Sequence, residues 1–453
     1  MPMEVIAWDA VYSAVGFERR LWSYLRHELD THGLSGRVRL EAAGSAVLFV
    51  VASVGYLALG DLLMECVPRV SIVTSQLIIA TSSALISPSI SLLYALPALL
   101  HAVFLNVHVP LPHTTALLNS TLQSEAGFAL LARQQSLTGY VSVLENNKDP
   151  FRVLRCDHSL LGGEWLLGDT APGQVREPVY TVFVLLEAVR LVQEQDPSET
   201  LQENEYAPDD SSKRALVIGL GVGTSATALI THGIDTTIVE IDPVVYQYAK
   251  DFFDLPPKHS VFLGDAVDFV HAIGQTTEFR QYDYIVHDVF TGGAEPAELF
   301  TVEFLTGLRD LLKSDGVVAI NYAGDLLLPS SRMIIRTIKA VFPTCRIFRD
   351  DRPPDNPASK LDFTNMVVFC TKSSAPLFFR RPREADFLGS EARRNSLYPQ
   401  FEIESGRLDR GTDKEDILSV ENVSVLSKGQ EESAAEHWRI MRTVLPDAVW
   451  ELY

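Results

Sequence analysis

Short apolar runs alternate with amphipathic stretches of helical period through the middle of this chain. Arg214 to Ile218 (RALVI) reads as a buried parallel strand, and a helix opens at Thr224 after Gly219, Gly221 and Gly223. DTTIVEI is a second strand ending at Glu240, and SVFL is a third, ending at Gly264, Asp265 and Ala266. YDYIVHDV is a fourth, ending at Asp288, and the amphipathic ELFTVEFLTGLRDLLK leads to a fifth, GVVAINY. PSSRMIIRTIKAVFP supplies a further helix with Pro329 near its start, and CRIFRD and FTNMVVFCTK read as two more strands. Such alternation predicts an α/β, Rossmann-like sheet with helices on both faces.

Candidate chemistry collects at the strand ends. Glycines there let the backbone turn sharply and approach a ligand closely. Open α/β sheets bind ligands beyond the carboxyl ends of their strands, where Gly219, Gly221, Gly223, Glu240, Asp265, Ala266 and Asp288 all fall. A carboxylate at Glu240 suits both hydroxyls of a ribose. Asp265 suits an adenine amino group and equally suits a helix cap, and the two roles are compatible. Thr224 stands where the dinucleotide pattern has its last glycine, which favours a methionine-derived nucleoside over NAD.

From about Thr138 to Thr371 these segments resemble the spermidine synthase-like branch of the class I S-adenosylmethionine-dependent methyltransferase fold, and YDYIVHDVFTGGAEPAELFTVEFL resembles its membrane-fused members. Upstream, TGYVSVLENNKDPFRVLRCDHSLLGGEWLLGD resembles the family's small β subdomain, and REPVYTVFVLLEAVRLV is expected as a helix whose Tyr180 matches an active-site tyrosine. The resemblance implies S-adenosylmethionine or decarboxylated S-adenosylmethionine as co-substrate and a small amine or a lysine side chain as acceptor. The chain departs from the aminopropyltransferases at Val222, Thr181 and Thr291, which stand where that group has aspartate, histidine and aspartate. Two carboxylates suited to a cationic diamine are therefore missing.

Transfer from a sulfonium donor is an in-line displacement with a deprotonated acceptor. Asp288 is the candidate base and Tyr180 the candidate orienting group; otherwise Asp288 caps the next turn and Tyr180 is an ordinary helix aromatic. His287 and His158 read as structural, and Asp157, His158 and Glu164 form a second candidate cluster. Aminopropyl or methyl transfer, protein lysine methylation (DHSLLGGEW resembles an elongation-factor lysine methyltransferase) and a catalytically silent nucleoside-binding membrane scaffold all remain open.

The amino-terminal third differs. Ala42 to Gly60 carries no charge, nor does Val70 to Ser124, in a chain with 21% charged residues. The organisation expected is an amphipathic region at 1–41, transmembrane helices within 42–110, a small β subdomain at 136–175, a transferase domain at 176–375 and a tail with a final helix at 376–453. Arg37 and Arg39 beside the first span favour a cytosolic amino terminus, and two spans return a cytosolic catalytic domain. The expectation is thus a multi-pass membrane protein, with a homodimer possible. The net charge of −20 excludes nucleic acid as partner. Glu194 to Lys213 reads as an acidic surface insertion. Four cysteines lack metal spacing and suggest a reducing compartment, with Cys345 and Cys370 as buried thiols.

Overall fold

The computed structural model describes residues 104, 109–168, 170–194, 210–274, 281–289, 296–326, 328–353, 363–404 and 417–452. Met1–Thr114 and Thr115–Tyr453 form two units. In the first, the described residues are Phe104 and those leading into helix α1 (Pro112–Glu125). The membrane expectation is corrected: no helix among the described residues is long and apolar enough to cross a membrane. The stretches at 42–60 and, Phe104 aside, 70–107 lie outside the described residues, as do 1–41 and residues 195–209 of the acidic insertion. Lack of charge is common to spans and buried helices, so composition does not decide between them.

A five-stranded antiparallel meander opens the second unit. It runs β1 (Phe128–Gln135), β2 (Tyr140–Asn146), β3 (Phe151–Cys156), β4 (Ser159–Trp165) and β5 (Glu177–Pro178), paired in that order. The expected subdomain begins at residue 136 and so leaves out β1, whose alternation is broken by a bulge between Leu130 and Ala132. The single helix expected from Arg176 to Val192 is instead β5, α2 (Val182–Leu186), a 3-10 turn at Glu187–Leu191 and the short strand β6 (Val192–Gln193). Five valines lower helix propensity in that stretch.

The main sheet contains β7 (Arg214–Ile218), β8 (Asp235–Glu240), β9 (Ser260–Leu263), β10 (Tyr282–His287), β11 (Leu312–Asp325), β12 (Thr344–Arg349), β13 (Phe363–Thr371) and the edge strand β15 (Phe401–Glu402). Its order is β15-β12-β13-β11-β10-β7-β8-β9. β7 to β11 are parallel, whereas β13 runs antiparallel to both β11 and β12. A separate pair joins β6 to β14 (Phe378–Phe379). Helices α3 (Thr224–Thr231), α4 (Pro243–Phe252), α5 (Ala266–Gly274), α6 (Val302–Leu311) and α7 (Pro329–Val341) connect the strands, and α8 (Glu391–Ser396), α9 (Ser427–Met441) and α10 (Asp447–Glu451) complete the chain. This is the mixed sheet of a class I methyltransferase-like fold. Period-two alternation divides its core: Leu216 and Ile218 pack with α5 to α7, Ala215 and Val217 with α2 and α3.

Two features join the sheets where the site will form. Val222, Val141, Val143, Leu154 and Tyr248 share one apolar cluster between the meander, the glycine loop and α4. Asp242, fully buried, caps α4 by accepting from the Val244 and Val245 N–H groups, and also accepts from the Thr138 N–H at 3.1 Å and hydroxyl at 2.6 Å. A further correction concerns the thiols. Cys345 and Cys370 are register partners on β12 and β13, with Cα atoms 4.2 Å apart, and form a disulfide. Register, which spacing does not reveal, brings them opposite each other. The pairing removes their support for a reducing compartment.

Candidate functional site

The carboxyl ends of β7, β8 and β10 and the turn after β9 open into one cavity of about 1420 Å³. Gly219 and Gly221 line it with φ of +81° and +55°, values that L side chains rarely adopt. A Cβ on Gly219 would collide with the Asp288 carbonyl oxygen, and one on Gly221 with that of Leu161. Gly223, the residue just before α3, has φ +89° but is not among the lining residues.

Glu240 is buried at the end of β8. Its Oε2 accepts from the Leu220 N–H at 2.8 Å and its Oε1 from the Asp242 N–H at 2.9 Å, so the carboxylate holds both the glycine loop and the turn into α4. Burial pushes this carboxyl up to about 7, against those donors. Asp265 is exposed in the cavity wall and caps α5 through the Val267 N–H at 2.7 Å; Ala266 lines the wall beside it. The cap and a ligand contact remain compatible, as the sequence suggests.

Asp288 lines the cavity just beyond β10. Desolvation pushes its carboxyl up to about 6, opposed by a 2.8 Å hydrogen bond that Asn321 Nδ2 donates to its Oδ1. Tyr180 also lines the cavity, edge-on to Phe183 at 6.3 Å; its buried hydroxyl has no hydrogen-bond partner among the described residues, and burial raises the phenol. His287, by contrast, is fully buried against Phe300 and Phe304 with Nε2 3.1 Å from the Leu299 carbonyl. Burial lowers it to about 4, so it is a neutral core residue. The second candidate cluster divides: Asp157 and His158 line the cavity, whereas Glu164 does not and sits 3.8 Å from Arg176, pushed up by burial to about 8.

Several lining residues were not anticipated. Asn321, 5% exposed, is the polar position that follows four apolar residues in GVVAINY, a signal available in the sequence. Asp350, Asp351 and Asn365 enter from the ends of β12 and β13, and His437 and Trp438 from α9. The Trp438 ring stands edge-on to His158 at 4.9 Å and to Trp450 at 5.3 Å. Nothing in the sequence places α9 here, since its apolar positions suit any docking surface. Nine carboxylates and no lysine or arginine line the cavity among the described residues, a wall suited to cationic groups. Among the same residues no cluster suits a metal ion.

Residues 198–349 match the spermine/spermidine synthase domain. The chain carries a domain of the spermine/spermidine synthase type. The chain is 54% identical over 368 residues to N-terminal histidine N-methyltransferase from Emericella nidulans, an alignment covering 79% of this chain. The chain spans 64% of that relative's length. A polyamine aminopropyltransferase from Vibrio vulnificus is 41% identical over 113 residues, 24% of this chain and 37% of its own. Among solved structures, spermidine synthase from Thermotoga maritima superposes with a TM-score of 0.38 at 19% identity, covering 54% of this chain and 73% of its own. The membrane-fused form of the family and the multi-pass localisation with a cytosolic catalytic domain are not supported: the 54% identical relative is named for histidine methylation, and no described helix can cross a membrane. Of the departures from aminopropyltransferases, Val222 is consumed by the apolar cluster beneath the glycine loop, and Thr291 lies outside the described residues.

Proposed function

We propose that this chain is an S-adenosylmethionine-dependent N-methyltransferase whose acceptor is a nitrogen of an amino-terminal histidine. The observation that carries this reading is the 54% identity, over 79% of the chain, with a protein named for that reaction. It sharpens the expected small amine or lysine acceptor to histidine, and the carboxylate-lined cavity is compatible with the positive charge of a chain terminus.

The residues present fit the donor. Gly219 and Gly221 line the cavity as bare backbone that a ligand can approach closely, and Glu240 and Asp265 offer carboxylate oxygens for ribose hydroxyls and the adenine amino group. When bound, S-adenosylmethionine supplies an electrophilic methyl group on a sulfonium sulfur. As a nitrogen lone pair of the acceptor bonds to the methyl carbon and the carbon–sulfur bond breaks to leave a neutral thioether, Asp288, ionised above about pH 6 and held by Asn321, accepts the proton that the acceptor gives up, which for an imidazole is the one on its other ring nitrogen. Tyr180, its hydroxyl buried and unpartnered, orients the acceptor by a hydrogen bond.

Aminopropyl transfer is favoured by the synthase-domain match, but Val222 packs in an apolar cluster where a diamine enzyme holds a carboxylate. Calorimetry separates the two donors. Methylation requires tight binding of S-adenosylmethionine and much weaker binding of its decarboxylated form; the opposite order overturns the reading.

A further inference from the structure

The cavity continues well beyond the donor wall, and one row of polar side chains crosses it. Asp288 follows β10, Asn321 lies on β11, Asn365 on β13 and Asp350 follows β12; all four line the cavity, and these strands are adjacent in the order β10-β11-β13-β12. They share one face. His287 pairs with Ile320, so Asp288 stands beside Asn321; Asn365 pairs with Ala323, two residues from Asn321; and the Asp350 N–H donates to the Asn365 carbonyl at 3.2 Å.

The row is held at both ends and open in the middle. At one end Asn321 Nδ2 donates to Asp288 at 2.8 Å, which fixes the amide so that Oδ1 is its accepting atom. That Oδ1 is buried in a residue 5% exposed and has no partner among the described residues. A buried, unsatisfied carbonyl facing a cavity costs stability unless a ligand donates to it. At the other end Asn365 Nδ2 reaches Asp350 Oδ2 only at 3.5 Å, leaving that carboxylate capacity for a stronger donor, whereas the adjacent Asp351 is taken up by Arg349 at 3.2 Å.

We propose that the acceptor is gripped at two points along this row, an imidazole N–H between Asp288 and Asn321 Oδ1, which leaves the other ring nitrogen free to take the methyl group, and a cationic amine nitrogen at Asp350 and Asn365. This rests on the reading of histidine as acceptor, because an amino-terminal histidine carries two basic nitrogens a few bonds apart, in the imidazole and the α-amine. Asp288 takes the proton of the ring N–H as the other ring nitrogen is methylated. Asp350 is a positioning residue that selects acceptors with a second nitrogen and aligns the first.

The test uses the full chain with S-adenosylhomocysteine bound and two probes, histamine and 4-methylimidazole, the second lacking the aliphatic amine. Histamine is expected to bind the parent protein and to lose about tenfold or more in affinity in Asp350→Asn, while 4-methylimidazole binds both proteins equally. In turnover on a histidine-initiated peptide, Asp350→Asn should raise KM by a similar factor and leave kcat within about threefold. Failure of histamine to bind the parent, equal histamine binding by both proteins, or equal losses with both probes overturns the two-point grip. Discrimination between the probes without any turnover on histidine peptides overturns the histidine methylation reading and leaves the two-point grip standing.

Discussion

One wall of the cavity comes from successive strand ends between Gly219 and Asp288, whereas the opposite wall is assembled from the β3–β4 turn, the ends of β12 and β13 and helix α9, drawn from across the second unit. The first wall is built from local geometry: glycines that turn a strand into a helix and acids that end strands. The second depends on which distant segments the fold brings together. On the proposed function, the nucleoside donor needs only the first, and the choice of acceptor falls to the second. Substitutions on the two walls should therefore separate donor affinity from acceptor selection.

Gly219→Ala breaks the donor wall most severely. The new methyl meets the Asp288 carbonyl at a positive-φ position, so stability should fall by about 3 kcal/mol with donor binding lost, measured by denaturant titration and calorimetry. Asp288→Asn comes next. It keeps shape and leaves donor affinity within a few-fold, yet turnover should fall roughly 10²-fold; undiminished turnover removes Asp288 from the mechanism. Glu240→Gln should weaken donor binding by roughly tenfold or more. Because Glu240 accepts from both Leu220 and Asp242, an amide nitrogen must face one of those N–H groups, so melting temperature should fall as well. Unchanged melting would mean that the loop holds itself.

Activity and stability should run in opposite directions with pH. As the proposed base Asp288 must be ionised, and burial raises it to about 6, so kcat/KM should drop about tenfold per unit as pH falls below 6. Glu164 and Glu240, raised to about 8 and about 7, fold more favourably when protonated. Their contribution is full below the carboxyl range of the unfolded chain and is lost as pH rises through those values; buried neutral His287, lowered to about 4, opposes that trend only up to the ordinary histidine range, so unfolding free energy should decline between about pH 7 and 8. A flat stability profile there would contradict the burial of both carboxyls. The smallest effect belongs to α9: Trp438→Ala should raise the acceptor KM a few-fold and leave donor binding unchanged, whereas an equal change in both would make α9 a packing element only.

Legibility follows the same division. The alternating strands, the glycine turn and Glu240, Asp265 and Asp288 can be read from the sequence because each sits at a pattern change from strand to helix. Asn321 was readable as a polar residue in an apolar strand, although only its bond to Asp288 reveals its purpose. Asp350, Asn365 and Trp438 carry no local mark, since they depend on the antiparallel return of β13 and on where α9 docks. The Cys345–Cys370 bond is hidden for the same reason, being a matter of register.

On the proposed function, the donor wall holds the methyl donor and the opposite wall presents a histidine nitrogen to it. Incubation with methyl-labelled S-adenosylmethionine and a pair of peptides, identical except for histidine or alanine at the first position, tests this most directly by mass spectrometry. Label on a nitrogen of the first histidine and none on the alanine peptide is the predicted result. Label on both peptides, or transfer only to lysine or a free diamine, would contradict it.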